Sequence, residues 1–361
     1  MIEEAQIRNA LSNVFDPSTG QDIIKLGMVR SIQIDGVNVN LTIAIDKNNA
    51  ELKSDMNFAC ITAVQDLYPN ANVNIHILVN SADVNNQSPL PHVKNIIAIA
   101  SGKGGVGKST VAVNIALALK QLGMRVGIMD ADLYGPSLPT MLGLQGQRPK
   151  IQDVYGKPRI VPLEAYGMPV ISIGFLVEPE QAVVLRGPRL GGIIKQFFND
   201  TTWPPLDFLI IDLPPGTGDI QLTLVQTVPV TGAVLVTTPQ EVAVVDAVKA
   251  MNMFLLPQVN VPILGVVENM SWFTPAELPE NKYYIFGKGG GERLAKESGA
   301  TLLGQIPLIQ GVREGGDSGK PVVEQESTTA GLFIAVAEKL IEATNLRNER
   351  LAPTSIIQMH S

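Results

Sequence analysis

Cysteine is the scarcest chemistry in this sequence: the 361 residues contain one, Cys60. A single thiol cannot close a disulfide within the chain. Nor can it build a thiolate zinc cluster or a four-cysteine iron–sulfur site without a second chain or other ligand types. Such usage fits a reducing compartment. Positive charge is also short, with 27 Lys and Arg against 34 Asp and Glu, for a formal charge of −7. Counterion release from nucleic-acid phosphates needs a basic face, and an acidic balance at 17 % charged residues leaves little to make one, so no nucleic-acid partner is expected. No run approaches the roughly 18 uninterrupted apolar residues of a membrane helix. Stretches such as Ala233 to Val236 are strand-sized and end in Thr and Pro. The acidic start, Met1-Ile2-Glu3-Glu4, lacks the cationic region and apolar stretch of a secretory signal. A cytoplasmic protein with no membrane partner is expected.

Hydrophobic residues make up 45 % of the chain, enough for a large core, and the length allows two domains. Residues 1–80 read as a small α+β domain. A helical start from Glu3 to Phe15 meets the turn cluster Asp16 to Gly20, and Val29 to Ile34 and Val37 to Ile45 alternate around Asp35-Gly36 as a hairpin does. A second helical stretch, Glu51 to Tyr68, precedes the alternating run Val73 to Val79. Residues 81–93 are polar, proline-bearing and patternless, as linkers are. Beyond them, Ile96 to Ala100, Arg125 to Met129, Phe208 to Ile211, Ala233 to Val236 and Ile263 to Val267 are short apolar runs separated by helical stretches, the first being Ser109 to Leu122. That pattern predicts a doubly wound α/β domain over residues 94–345, with a mainly parallel sheet buried on both faces. Residues 346–361 read as a flexible polar tail.

Gly102-Lys103-Gly104-Gly105-Val106-Gly107-Lys108-Ser109-Thr110 satisfies G-x-x-x-x-G-K-[ST] between the first strand and first helix of the α/β domain. Glycines let backbone N–H groups converge on phosphate oxygens, and the helix N-terminus adds positive potential. Lys108 is placed to neutralise the β and γ phosphates, and the Ser109 hydroxyl to ligate Mg²⁺. Lys103 is not demanded by the ordinary motif. It is either an exposed loop lysine or a second phosphate-binding cation.

Two apolar strands end in carboxylates. The strand Val126 to Met129 leads into Asp130-Ala131-Asp132-Leu133-Tyr134-Gly135-Pro136-Ser137, and Phe208-Leu209-Ile210-Ile211-Asp212 has the Walker B pattern. Carboxylates at strand C-termini point into the nucleotide cleft of such a sheet. Asp132 is assigned to positioning the attacking water, Asp130 to Mg²⁺ or its water shell, and Asp212 to Mg²⁺ through water. The following Leu213-Pro214-Pro215-Gly216-Thr217-Gly218-Asp219 is a switch loop able to sense the γ-phosphate through the Gly216 N–H, with Asp212 and Pro215 as its other switch residues.

The Lys-Gly-Gly-Val-Gly-Lys-Ser form from Lys103 to Ser109 resembles the deviant Walker A ATPases that dimerise face to face. With Asp130 to Ser137, Asp212 to Asp219, Val267-Glu268-Asn269-Met270-Ser271, Ile285 to Gly291 and Gln305-Ile306-Pro307-Leu308, the chain is similar to the Mrp/ApbC branch, the iron–sulfur cluster carriers. Leu11 to Pro17, Asp22-Ile23 and Leu26 to Val29 resemble the MIP18-like domain that precedes the ATPase in bacterial members. The resemblance implies a homodimeric ATPase using ATP and Mg²⁺, in which Lys103 reaches the partner's phosphates. It also implies that Asn269 bonds the adenine edge, that the loop at Pro307 packs near the base, and that apo iron–sulfur proteins or assembly factors are partners. Read without it, Asn269 is either a base-binding amide or a turn residue. Many members carry Cys-x-x-Cys after the Glu-Asn-Met-Ser strand to hold a [4Fe-4S] cluster between subunits. Here Ser271 to Tyr284 contains no cysteine. Cys60, among Phe58, Ala59 and Ile61, is either a small core residue or one thiolate per subunit of an unfamiliar site. His76 and His92 read as structural or solvated.

Two functions follow. One is a dimeric ATPase acting in iron–sulfur cluster assembly or transfer. The other is a nucleotide-switched, cluster-free client-binding or regulatory ATPase. A small-molecule kinase or ligase finds no visible acceptor site, and a membrane-attached cell-division ATPase would need the basic amphipathic tail that Leu346 to Ser361 does not supply.

Overall fold

The computed structural model describes residues 2–17, 19–45, 50–79, 89–132, 135–154, 156–175, 187–325 and 327–352. Residues 81–88 of the expected linker, 353–361 of the expected tail and the Leu133-Tyr134 pair lie outside the described residues. The chain forms two units. One comprises Met1–His92, Lys150–Val161 and Asn199–Pro204, and the other Val93–Pro149, Pro162–Phe198 and Pro205–Ser361. Two short segments from inside residues 94–345 thus join the first unit.

In the first unit, α1 (Glu4–Leu11), β1 (Val29–Asp35), β2 (Asn38–Ile45), α2 (Ala50–Leu67) and β3 (Asn72–Val79) follow one another. The sheet order is β1-β2-β3, antiparallel then parallel. Parallel pairing needs a crossover, and α2 supplies it. Met56, Cys60 and Val64, four residues apart on one helical face, join Val39, Leu41, Ile43 and Ile45, alternate residues of β2, in one core. The helix expected to reach Phe15 stops at Leu11. Pro17 disfavours helix at the residue before it, and Asp16 Oδ2 accepts from the Thr19 N–H at 3.0 Å and its hydroxyl at 2.9 Å, which closes a turn instead.

The second unit opens with β4 (Val93–Ala100), α3 (Lys108–Gln121), β5 (Val126–Asp130) and the short α4 (Leu138–Met141). The hairpin of β6 (Lys150–Val154) and β7 (Lys157–Val161) comes next in the chain and belongs to the first unit. Then follow β8 (Leu163–Ala165), β9 (Met168–Ser172), α5 (Gly187–Asn199), β10 (Leu206–Asp212), α6 (Asp219–Thr227), β11 (Gly232–Thr237), α7 (Glu241–Leu255), β12 (Ile263–Phe273), α8 (Gly290–Ser298), β13 (Thr301–Leu308), α9 (Gln310–Asp317) and α10 (Thr328–Arg350). The sheet order is β13-β12-β11-β4-β10-β5-β9-β8, with only the β8–β9 pair antiparallel. Every residue of β11 is buried, as is β4 from Asn95 onward, the continuous pattern of strands covered on both faces. Val111, Ile115 and Leu119 of α3 share a core with Phe333, Val336 and Leu340 of α10. Each such side chain stabilises the fold by about 1.5–3 kcal/mol.

Two expectations change. The loop expected at Pro307 is strand β13, at the sheet edge, where a residue without an N–H is tolerated. Helix α10 runs past Asn345 to Arg350, and Asn348 Nδ2 donates to Asn95 Oδ1 at 2.9 Å, so the first residues of the expected tail are ordered helix. From β4 the chain crosses to β5 on one side, and from β10 to β11 on the other. That reversal opens a crevice at the strands' carboxyl ends.

Candidate nucleotide site

The phosphate loop spans that crevice, from the end of β4 to the start of α3. Steric demands set the glycines at its two ends. A Cβ on Gly102 would lie 2.0 Å from the carbonyl carbon of Asp246 in α7, and Gly107 has φ +80° with Asn269 Nδ2 2.2 Å from where its Cβ would be. Ser101 Oγ donates to Lys103 O at 3.0 Å, closing the intervening turn. Helix α3 has neither a side-chain N-cap nor an acidic residue in its first turn. Its leading N–H groups therefore present positive potential to an anion.

Lys108, the first residue of α3, is 6 % exposed and turns into a nest of carboxylates. Its Nζ lies 2.6 Å from Asp212 Oδ1, 3.6 Å from Asp132 Oδ2 and 3.2 Å from Ser109 Oγ. The structure thus brings together Lys108, Ser109, Asp132 and Asp212, read from three separate motifs. Asp212 Oδ2 and Asp132 Oδ1 are buried without a hydrogen-bond partner. One ammonium faces more than one carboxylate, so the cluster is short of positive charge. Burial raises the Asp212 pKa, against the opposing pull of Lys108. Unpartnered carboxylate oxygens beside a hydroxyl form the hard-oxygen set that suits Mg²⁺, so these residues fit the cation the motif implies.

Asp130, expected to serve Mg²⁺ or its water shell, accepts hydrogen bonds through both carboxylate oxygens. It is fully buried, and its Oδ1 accepts from the Asp132 N–H at 3.0 Å. Its Oδ2 accepts from the Ser172 hydroxyl at 3.0 Å and the Leu138 N–H at 3.3 Å. Burial first, then the charge of Asp212, raise its pKa. Both oxygens serve the chain that leads from β5 to α4, which makes Asp130 a scaffold carboxylate.

The Gly216 N–H, expected to sense the γ-phosphate, donates to Ser101 O at 2.8 Å. The loop lies against the phosphate loop, where a Cβ on Gly104 would sit 3.9 Å from Pro215 Cγ. Asn269 Nδ2 donates to Val106 O at 2.9 Å, because β12 breaks register at Met270, φ +55°, and brings the amide to the phosphate loop. Lys103 is half-buried, and its ammonium has no ion-pair partner among the described residues. Pro307 stands apart: two strands separate β13 from β4, roughly 14 Å at usual strand spacing.

Two residues at this end of the sheet had no role in the sequence reading. Glu268, 1 % exposed, accepts from the Gly291 N–H at 2.6 Å and Gln305 Nε2 at 2.8 Å, holding the start of α8 to the sheet edge. Gln221, equally buried, binds the loop after Asp212. A carboxylate or amide inside an apolar pattern was the only available signal, and it names no partner.

Cys60 belongs to the first unit. It is fully buried in α2, and desolvation pushes its thiol up to about 12. His76 lies on β3, and His92 Nε2 is 3.6 Å from Asp16 Oδ2. Among the described residues, no three His, Cys, Asp or Glu side chains gather to hold a metal ion. Among the described residues the side chains do not fit an iron–sulfur cluster bound within one chain.

Known proteins are similar to this chain over most of its length. Residues 92–341 match the family described as NUBPL iron-transfer P-loop NTPase, and residues 4–77 the family described as iron–sulfur cluster assembly protein. An iron–sulfur cluster carrier protein of Synechocystis sp. is 44 % identical, covering 94 % of this chain and 97 % of that one. Its Escherichia coli K12 counterpart is 48 % identical, covering 73 % and 71 %. A solved nucleotide-binding protein from Archaeoglobus fulgidus, in complex with ADP, is 35 % identical with a TM-score of 0.58, covering 68 % of this chain and 94 % of that one. The chain belongs to the iron–sulfur cluster carrier family of P-loop ATPases.

Proposed function

We propose that this ATPase works as a Mg²⁺-dependent homodimer whose ATP-driven closure regulates transfer of iron–sulfur cargo to apo-proteins in the cytoplasm. The observation that carries the reading is the buried Lys108–Asp212–Asp132 cluster, with its two unpartnered carboxylate oxygens, at the start of α3. No helix among the described residues is long and apolar enough to cross a membrane.

In hydrolysis a water oxygen bonds to the γ-phosphorus as the bond to the β–γ bridging oxygen breaks, giving ADP and phosphate. The protein's work is positioning and charge stabilisation. Gly102, Gly104, Gly105, Val106, Gly107 and Thr110 offer backbone N–H groups to the phosphates. Lys108 exchanges its bond with Asp212 for the β and γ oxygens. Mg²⁺, when bound, spreads the developing phosphate charge, with Ser109 and Asp212 as its holders. Asp132, freed from Lys108, orients the water through its unpartnered oxygen. Lys103, whose ammonium has no ion-pair partner among the described residues, serves the phosphates of the second copy. Asn269 offers Oδ1 to the adenine amine while its Nδ2 stays on the phosphate loop, and Pro307 borders the base.

Phosphate release should vanish in EDTA, and turnover per chain should rise with protein concentration as dimers form. Turnover per chain that is independent of concentration would rule out the dimer. A second reading, a cluster-free ATPase switch for client binding, is favoured by the buried, high-pKa Cys60. Anaerobic reconstitution with iron and sulfide, followed by iron analysis of wild type and Cys60→Ser, separates the two. A cluster lost in Cys60→Ser supports the carrier, and an iron-free wild type supports the switch.

A further inference from the structure

The loop Leu213–Gly218, between β10 and α6, is held by a side chain that has no part in the scheme above. Gln221, in the first turn of α6, donates from Nε2 to Pro214 O at 2.9 Å and to Gly216 O at 3.1 Å. Both N–H bonds of one amide thus bracket Pro215. Gly216 is pinned from both sides, because its own N–H goes to Ser101 O at 2.8 Å. It also has φ +92°, a conformation that suits glycine.

Gln221 Oε1 is the unusual atom. It is buried and has no hydrogen-bond partner, although leaving a buried carbonyl unpaired is unfavourable. Within the loop itself, free backbone donors are few. Pro214 and Pro215 have no N–H, the Leu213 N–H donates to Ile99 O at 3.1 Å, and the Gly216 N–H is on Ser101. That leaves Thr217 and Gly218 within the loop. Oε1 faces Gly218, where a Cβ would lie 3.6 Å away.

We propose that Gln221 is a positioning residue for ATP hydrolysis, a clamp that moves the Pro214–Gly216 turn as one piece when the Gly216 N–H leaves Ser101 for the γ-phosphate. In the moved loop, Oε1 accepts the Gly218 N–H. The donor half of the amide keeps the turn's shape, and the acceptor half stabilises its second position. The proposal rests on reading Gly216 as the γ-phosphate sensor.

Gln221→Glu keeps size and an acceptor but has no N–H₂ to hold the two carbonyls. Its kcat should fall about 10- to 100-fold while KM stays near wild type, and the melting temperature should drop because two buried carbonyls lose their donor. Gln221→Asn, which keeps the amide on a shorter stem, should retain part of the turnover. If Gln221→Glu does not fold, Gln221→Met, which removes donor and acceptor together without adding charge, tests the whole amide. Wild-type turnover in these variants, or a loss of nucleotide affinity as large as the loss of kcat, would overturn the role. Hydrogen exchange over residues 213–221 separates the two layers of the argument. Wild type should change protection with a non-hydrolysable ATP analogue and not with ADP, and Gln221→Glu should not change. No change in wild type removes the sensor reading itself. A change retained in Gln221→Glu removes the clamp alone.

Discussion

Cys60 in the first unit and Asp212 in the second are both fully buried, but their surroundings give burial opposite consequences. Cys60 sits among Leu41, Ile43 and Val64, and desolvation holds its proton on. Asp212 is buried beside Lys108 and Asp132, with one oxygen bonded and the other left without a partner. A buried group is reactive when its neighbours leave part of its demand unmet, and inert when nothing nearby can stabilise its charged form. The same contrast separates Asp130, whose oxygens are fully engaged, from Asp132, two residues on.

Removing the cluster's only cation should have the largest effect. Lys108→Ala should abolish measurable MgATP hydrolysis and weaken MgATP binding by about 100-fold or more in equilibrium titration, because it removes the phosphate partner and leaves buried carboxylates unpaired. Lys103→Ala should come next. With no ion pair at stake among the described residues, it should spare nucleotide affinity and lower kcat about 100-fold in steady-state assays. Normal hydrolysis by that variant would remove the cross-dimer role of Lys103.

The smallest effect is on the inert side of the comparison. The Cys60 pKa is raised from the ordinary 9.0 to about 12 in the folded protein, so the unfolded chain loses its thiol proton first as pH rises. Stability from burying the neutral thiol is present below pH 9 and declines between 9 and 12. Denaturant titrations across that range should show the decline in wild type and a shallower one in Cys60→Ala. Alkylation of native Cys60 should stay slow at pH 8, since little thiolate forms.

Much of this was legible in the sequence because local chemistry specified it. The phosphate loop announces itself through glycines whose positions are forced by Asp246 and Asn269, and Asp212 through an apolar strand that must end at the cleft. The parallel sheet followed from unbroken apolar runs. What stayed hidden depended on partners distant in sequence. Asp130 and Asp132 are two residues apart and look alike, and only Ser172 and Leu138 separate scaffold from cluster. The β6–β7 hairpin, Lys150-Ile151-Gln152-Asp153-Val154 and Lys157-Pro158-Arg159-Ile160-Val161, carries no clean alternation, and nothing local assigns it to the first unit. Pro307 reads as a loop breaker until the sheet order places it on an edge strand.

The central claim is that ATP held by this cluster closes two copies of the chain. Asp132→Asn should keep Lys108 on the phosphates while failing to orient water, so it should bind MgATP without turning it over. Sedimentation velocity of Asp132→Asn with and without MgATP tests this directly. A shift from monomer to dimer mass on adding MgATP, absent with ADP, is predicted, and a protein that stays monomeric while saturated with MgATP would contradict the account.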